Sequence, residues 1–221
     1  MAATRTAECR PGLRERKKLR TREALMDAAV ALFSSKGFEA TTVEEIADAV
    51  EVSSRTFFRY FSSKEDVVAS VQVQQFAELH DEFVRRPPDE PVMTAIRHAC
   101  VAVFRRLEEA TGLDSTRFTC VAQLAHDSPA VIAHSLELCS DQNDRFAEQI
   151  AARMGVDPVA DPRPQLIAAV SGAALQVAVR AWRENAPEIT VSELVDRALA
   201  LLESGINYPA APEPLSQGVP R

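Results

Sequence analysis

The stretch Ser53-Ser54-Arg55-Thr56-Phe57-Phe58-Arg59-Tyr60-Phe61 sets two arginines among phenylalanines and a tyrosine, behind a pair of serines. Ser53 is suited to cap a helix at its start. On that helix Phe57 and Phe61 fall on one side at i, i+4 spacing, and Arg55 and Arg59 fall together on another. One side anchors in a small core and the other meets a polyanion. A short helix carrying two arginines beside so many aromatics makes a poor solvated face, so the stretch is predicted to be a DNA recognition helix.

The neighbouring segments brace it. Upstream, Thr42-Val43-Glu44-Glu45 is a capping box, opening a helix with Val43, Ile46, Ala47 and Val50 turned inward. Glu51-Val52 makes the tight turn into Ser53. Earlier still, apolar residues recur at helical spacing from about Leu13 (Leu25, Ala28, Ala29, Leu32, Phe33), and Lys36-Gly37 supplies a basic last turn and a left-handed stop. Downstream, Ser62-Ser63-Lys64-Glu65 reads as a further capping box. It opens a fourth helix over Ser63–Val84 with Val68, Phe76, Leu79 and Phe83 on its buried side. Helix, short turn, helix, braced by a third, is the helix-turn-helix arrangement.

Thr41-Thr42, Ile46-Ala47, Val52-Ser53, Thr56-Phe57-Phe58-Arg59-Tyr60-Phe61 and Ser63-Lys64-Glu65 together resemble the DNA-binding domain of the tetracycline-repressor (TetR) family, over about residues 14–68. The resemblance implies an all-α homodimer with a variable C-terminal ligand-binding domain and repression relieved by a small molecule. By position, Thr42, Tyr60 and Lys64 match phosphate-holding residues, and Thr56 matches a backbone or base contact near the helix start. Ser54, Arg55 and Arg59 sit where the family reads the groove. Phe58 departs from the pattern: it stands where the family commonly has a tyrosine that bonds a phosphate. Phe58 then either touches sugar or a thymine methyl, or packs internally. Independently of family, arginine suits guanine O6/N7, and hydroxyls and lysine suit phosphates. Arg55, nearest the helix start, is the first choice for a base contact.

Composition agrees with an all-α fold. The 221 residues are 46% hydrophobic with seven glycines, and alternating β-branched runs are almost absent. No run of about 18 uncharged apolar residues suggests a membrane span, and the basic N-terminus lacks a signal peptide's apolar segment. A cytoplasmic protein with no membrane partner is expected. The net charge of −7 conceals a division. Residues 1–22 hold eight Lys and Arg against two acids, +6, which leaves −13 for the remainder. A basic end on an acidic body fits a molecule that binds nucleic acid at one end only. Cys9, Cys100, Cys120 and Cys139 form no CxxC pair and read as free thiols, mostly buried. His80, His98, His126 and His134 lack metal-site spacing and read as satisfied structural or surface histidines.

The body continues as helices. One follows Pro91 and closes near Gly112, one spans Asp114 to His126, and one runs from Pro129 to Met154 and stops at Gly155. The last of these carries Ile132, Leu136, Cys139, Asn143, Phe146, Ile150 and Met154 on one stripe. Asn143 stands there where a hydrophobe belongs, so it faces either a ligand cavity or a backbone partner. A helix over Gln165 to Ala186 is apolar nearly all round (Leu166, Ile167, Val170, Leu175, Val177, Val179, Trp182) and needs cover on two sides, core and subunit interface. Its Ser171-Gly172-Ala173-Ala174 segment admits another backbone closely. Thr190-Val191-Ser192-Glu193 caps a last helix with Leu194, Val195, Ala198, Leu201 and Leu202 inward. In the resembled family the last two long helices pair with their mates.

The predicted organisation is therefore a basic tail (1–13), a helix-turn-helix domain (14–64), a helical ligand-binding and dimerisation domain (65–205) and a Pro-rich tail (206–221). No catalytic constellation, metal site or cofactor motif stands out, so an enzyme is not expected. A cavity between the fifth and eighth helices is expected from Met93, Ile96, Cys100, Phe104, Phe118, Val121, Asn143, Phe146, Leu175 and Trp182. It suits an apolar or amphipathic ligand. The C-terminal half also resembles regulators of acyl-CoA-like ligands, for which Arg117, Arg145, Arg180 or Arg183 would meet a phosphate. The partners expected are a double-stranded operator, a second copy and a small effector. An activator or dual regulator with the same head, an effector-independent DNA-binding protein, and an enzyme on a helical bundle are the alternatives.

Overall fold

A computed structural model describes residues 12–110, 113–185 and 189–206, with side chains not described at 113–115, 136–139 and 185. The expectations for the tail before residue 12, for Gly112, for the side chains of Leu136 and Cys139 and for the segment after Ile206 lie outside the described residues. Among these, nine helices and no strand are found: α1 (Leu13–Lys36), α2 (Val43–Asp48), α3 (Ser54–Phe57), α4 (Lys64–Arg85), α5 (Val92–Glu109), α6 (Leu113–Asp127), α7 (Pro129–Met154), α8 (Arg163–Asn185) and α9 (Val191–Ser204). The fold is all-α, as the sequence predicts.

Most helix ends are set by the predicted residues. Thr42 accepts from Glu45 N while Glu45 Oε2 accepts from Thr42 N at 2.9 Å, and Thr190 and Glu193 repeat the device for α9. Gly155 ends α7 in the left-handed region (φ 66, ψ 34). Gly37 has φ 92 but ψ 153, so its stop is a positive-φ extended residue rather than a left-handed helical one. The box predicted over Ser62–Glu65 is displaced by one residue. Ser63 caps α4 by accepting from Asp66 N, and the Asp66 carboxylate reaches back to Ser62 N at 2.8 Å. Aspartate at the third helical position has the shorter reach that this geometry needs. Glu51, in the α2–α3 turn, sits at φ 56, a conformation glycine holds without steric cost.

Two buried clusters share α4. The first joins Leu25, Ala29 and Phe33 of α1, Phe38, Ile46 of α2, Phe57 and Phe61, and Val67, Val68 and Val71 of α4. Cys120 and Val121 of α6 and Val131 of α7 also enter it. The second gathers Phe83, Ile96, Cys100, Phe104, Phe118, Ile150, Val195 and Leu199. The core of the head therefore draws on α4, α6 and α7 as well as on the helices before residue 64. Asp27 of α1 and Arg117 of α6 form an ion pair across this junction.

Leu201, predicted to point inward on α9, is 63% exposed. α8 exposes Leu166 and Val177, while its Ala168, Ser171 and Ala178 are buried. By length and composition α8 is apolar enough to cross a bilayer, yet only 17% of that apolar window is buried within one chain. Within the Ser171–Ala174 segment, Ser171 and Gly172 border a cavity. Cys100 and Cys120 are buried free thiols, and burial pushes the Cys100 pKa to about 12.

Candidate DNA interface and effector cavity

The recognition segment is tighter than one continuous α-helix. Only Ser54–Phe57 is α-helical. Beyond it Arg59 N and Tyr60 N bond three residues back, to Thr56 O at 3.2 Å and Phe57 O at 2.8 Å. This tightening turns Phe61 into the core before the extended Ser63 (φ −161) opens α4. Ser53 caps the start through Thr56 N at 3.2 Å. Phe57 and Phe61 are fully buried with ring centroids 5.6 Å apart, as their spacing predicts.

Arg55, Phe58, Arg59 and Thr42 are exposed, while Ser54, Thr56, Tyr60 and Lys64 are partly buried. Among the described residues no carboxylate pairs with Arg55 or Arg59. Arg59 lies over the Tyr60 ring, 5.1 Å from its centroid, with its guanidinium 3.4 Å from the phenol oxygen. Phe58 packs edge-on against the buried Phe57 ring, centroids 5.5 Å apart, yet keeps 55% of its surface exposed beside two arginines. Lys64 is more committed than predicted. Its Nζ donates to Phe38 O at 2.8 Å, stands 3.7 Å from Glu39 and lies over the Phe38 ring.

The body holds a cleft of about 700 Å³ between α4, α5, α6, α7 and α8. Of the predicted ligand residues, Phe104, Phe118, Val121, Asn143 and Leu175 line it. An inner recess of about 30 Å³ shares Phe76, Leu79, Asn143, Gly172 and Leu175 with the cleft, and adds Ile96, Cys100 and Phe146. Trp182 and Met93 line neither space. Trp182 packs on Phe118, ring centroids 5.6 Å apart. The sequence reading missed α4: Gln72, Gln75, Phe76, Leu79 and His80 face the cavity. Its available signal was a histidine and two glutamines on a stripe otherwise apolar.

His80 corrects a second expectation, because it is neither at the surface nor hydrogen-bonded to a described residue. It stacks on Phe146 at 4.7 Å with planes 4° apart, and burial lowers its pKa. Arg117 is spent on Asp27, and Arg183 bonds Asp127 at 3.0 Å, while Arg145 and Arg180 remain exposed. No cluster of metal-ligating side chains occurs among the described residues.

Residues 25–71 match the family described as bacterial regulatory proteins, tetR family, and residues 90–207 match the MftR C-terminal domain. The chain belongs to the TetR family. It is a transcriptional regulator with a helix-turn-helix head, not an enzyme. It is 39% identical over 186 residues to the HTH-type transcriptional regulator TcmR of Streptomyces glaucescens, covering 81% of this chain and 80% of that one. It is 26% identical over 196 residues to the putative mycofactocin biosynthesis regulator MftR of Mycobacterium tuberculosis, covering 87% and 94%. Among solved structures it is similar to FadR of Thermus thermophilus, a TetR-family repressor in complex with lauroyl-CoA. That match has 26% identity and a TM-score of 0.55, and covers 87% of this chain and 98% of that one.

Proposed function

We propose that this TetR-family regulator is a cytoplasmic repressor that binds a palindromic operator as a homodimer and is released by a small apolar or amphipathic effector. The observation that carries the reading is the path of α4. Its first turn follows the recognition segment within two residues, and its second half lines the cleft with Phe76 and Leu79. An occupant that favours one placement of α4 changes the spacing of two heads, and weakens operator binding by its differential affinity for the two states.

In this reading Arg55 reads a guanine and Arg59, released from Tyr60, takes a second base or a phosphate. Ser54 contributes to groove reading. Thr42, Thr56, Tyr60 and the remaining donor of Lys64 hold backbone, and the exposed Phe58 meets sugar or a thymine methyl. The exposed Leu166 and Val177 of α8 and Leu201 of α9 are the face a second copy covers. That face also accounts for the apolar character of α8 without a membrane. The lauroyl-CoA held by the Thermus relative supports an acyl-CoA-like molecule as one member of the effector class.

The test is operator selection from random DNA followed by titration of wild type and Arg55→Ala on the selected site and a scrambled one. Loss of about 1–3 kcal/mol on the selected site, with specificity relaxed at one position, is expected. Equal loss on both DNAs refutes the base-reading role.

A further inference from the structure

Four polar side chains converge on the inner recess: His80 from α4, Gln142 and Asn143 from α7, and Ser171 from α8. None makes a hydrogen bond to a described residue, and the Ser171 hydroxyl is fully enclosed without a partner. His80, Gln142 and Ser171 are each more than nine-tenths buried, at 8%, 6% and 2% exposure. An enclosed hydroxyl without a partner is destabilising, and an occupant that bonds it relieves that cost. The space they border has room for about one water or one ligand functional group, and it opens into the cleft through Phe76, Leu79 and Leu175.

We infer that this recess is a hydrogen-bonding subsite for the effector, which inserts an uncharged oxygen function, a hydroxyl or carbonyl, while its apolar body fills the cleft. This rests on the effector-responsive reading and narrows it. The recess is lined by no lysine, arginine, aspartate or glutamate, so an ion entering it would lose its hydration without a counter-charge. Burial keeps His80 neutral, with the fields of Asp81 and Arg145 opposing each other. A neutral imidazole, two amides and a hydroxyl offer donors and acceptors to one oxygen from three helices. A plain hydrocarbon terminus would leave all four groups unmet. Because His80 belongs to α4, a bond to it pulls on the helix that carries the reading head.

The experiment measures binding of phenol and of toluene, matched in shape, to the full-length protein by ligand-observed NMR and calorimetry, without DNA. Wild type is expected to prefer phenol by about tenfold, as a site built around a hydroxyl rejects the analogue lacking it. Ser171→Ala and Asn143→Leu are each expected to erase that preference while keeping toluene binding and raising or preserving the melting temperature. Ser171→Ala, the smaller change, decides the matter if Asn143→Leu fails to fold. Equal binding of the two probes, a preference that survives both variants, or no binding at millimolar concentration makes the recess a water site only and overturns the proposal. Dodecanoyl-CoA binding untouched by the variants, with no phenol preference, would leave the effector-responsive reading intact and overturn this one.

Discussion

Removing the Arg117 guanidinium tests whether α6 holds the reading head as well as lining the cleft. Arg117 and Asp27 retain 16% and 31% of their side-chain exposure. A fully enclosed charge-assisted bond contributes about 1.5–3 kcal/mol, and an exposed ion pair about 0.2–1 kcal/mol. The intermediate exposure of this pair therefore places Arg117→Met at about 1–1.5 kcal/mol of lost stability. The loss has a location, because the pair ties α1 to α6 where Cys120 and Val121 enter the head's core. If opening is local, that energy raises the open population about 5- to 12-fold, with amide exchange over residues 25–36 and 116–127 accelerated to match. Hydrogen exchange read by mass spectrometry on wild type, Arg117→Met, Asp27→Asn and the double variant supplies both the local effect and the coupling. The double variant is expected to cost less than the two single losses together. Equal acceleration along the whole chain, or none in α1, would refute the idea that α6 and α1 are latched at this point.

Glu90 accepts from Arg86 Nε and Nη2 at 2.8 Å each and is bonded to His98 Nδ1 at 2.6 Å, and its pKa is lowered to about 2, chiefly by Arg86. A depressed carboxylate stabilises the fold above its unfolded pKa of about 4.3 and loses that contribution as pH falls toward the folded value. Glu90→Gln is therefore expected to melt below wild type at pH 7, with the gap closing between about pH 5 and pH 2 in thermal scans; a constant gap refutes it. Lys64→Ala removes one of the two donors to Phe38 O, leaving Thr41 N at 3.2 Å, and is expected to cost about 0.5–1.5 kcal/mol of stability. If the lysine also holds a phosphate, the log-log salt slope of operator binding falls by about 1; an unchanged slope reduces it to a loop anchor. Val177→Glu places a charge on the exposed face of α8 and is expected to yield monomers in sedimentation without lowering helicity. A dimer that persists moves the subunit interface elsewhere.

The helices and their caps were legible because their causes are local. Thr42 and Glu45, Ser53 and Thr56, Thr190 and Glu193 lie within one turn of each other, and Gly155 needs only its own backbone freedom. The buried faces of Phe57 and Phe61 followed from spacing alone. The same reading placed Phe104, Phe118, Asn143, Phe146 and Leu175 at the cavity, and failed at Trp182 and at every contribution from α4. Periodicity says which stripe of a helix is covered; it does not say whether the cover is another side chain or a space.

The amino-acid sequence by itself determined the helical class, the braced reading head, and the outward arginines at 55 and 59, because spacing and capping act over a few residues. Only the tertiary structure decided that Lys64 is anchored to Phe38 and that α6 enters the head's core. It alone brought His80, Asn143 and Ser171, from three different helices, around one recess. Those outcomes depend on how helices far apart in the chain cross, and a crossing is fixed by the fit of all their side chains at once rather than by any segment's own pattern.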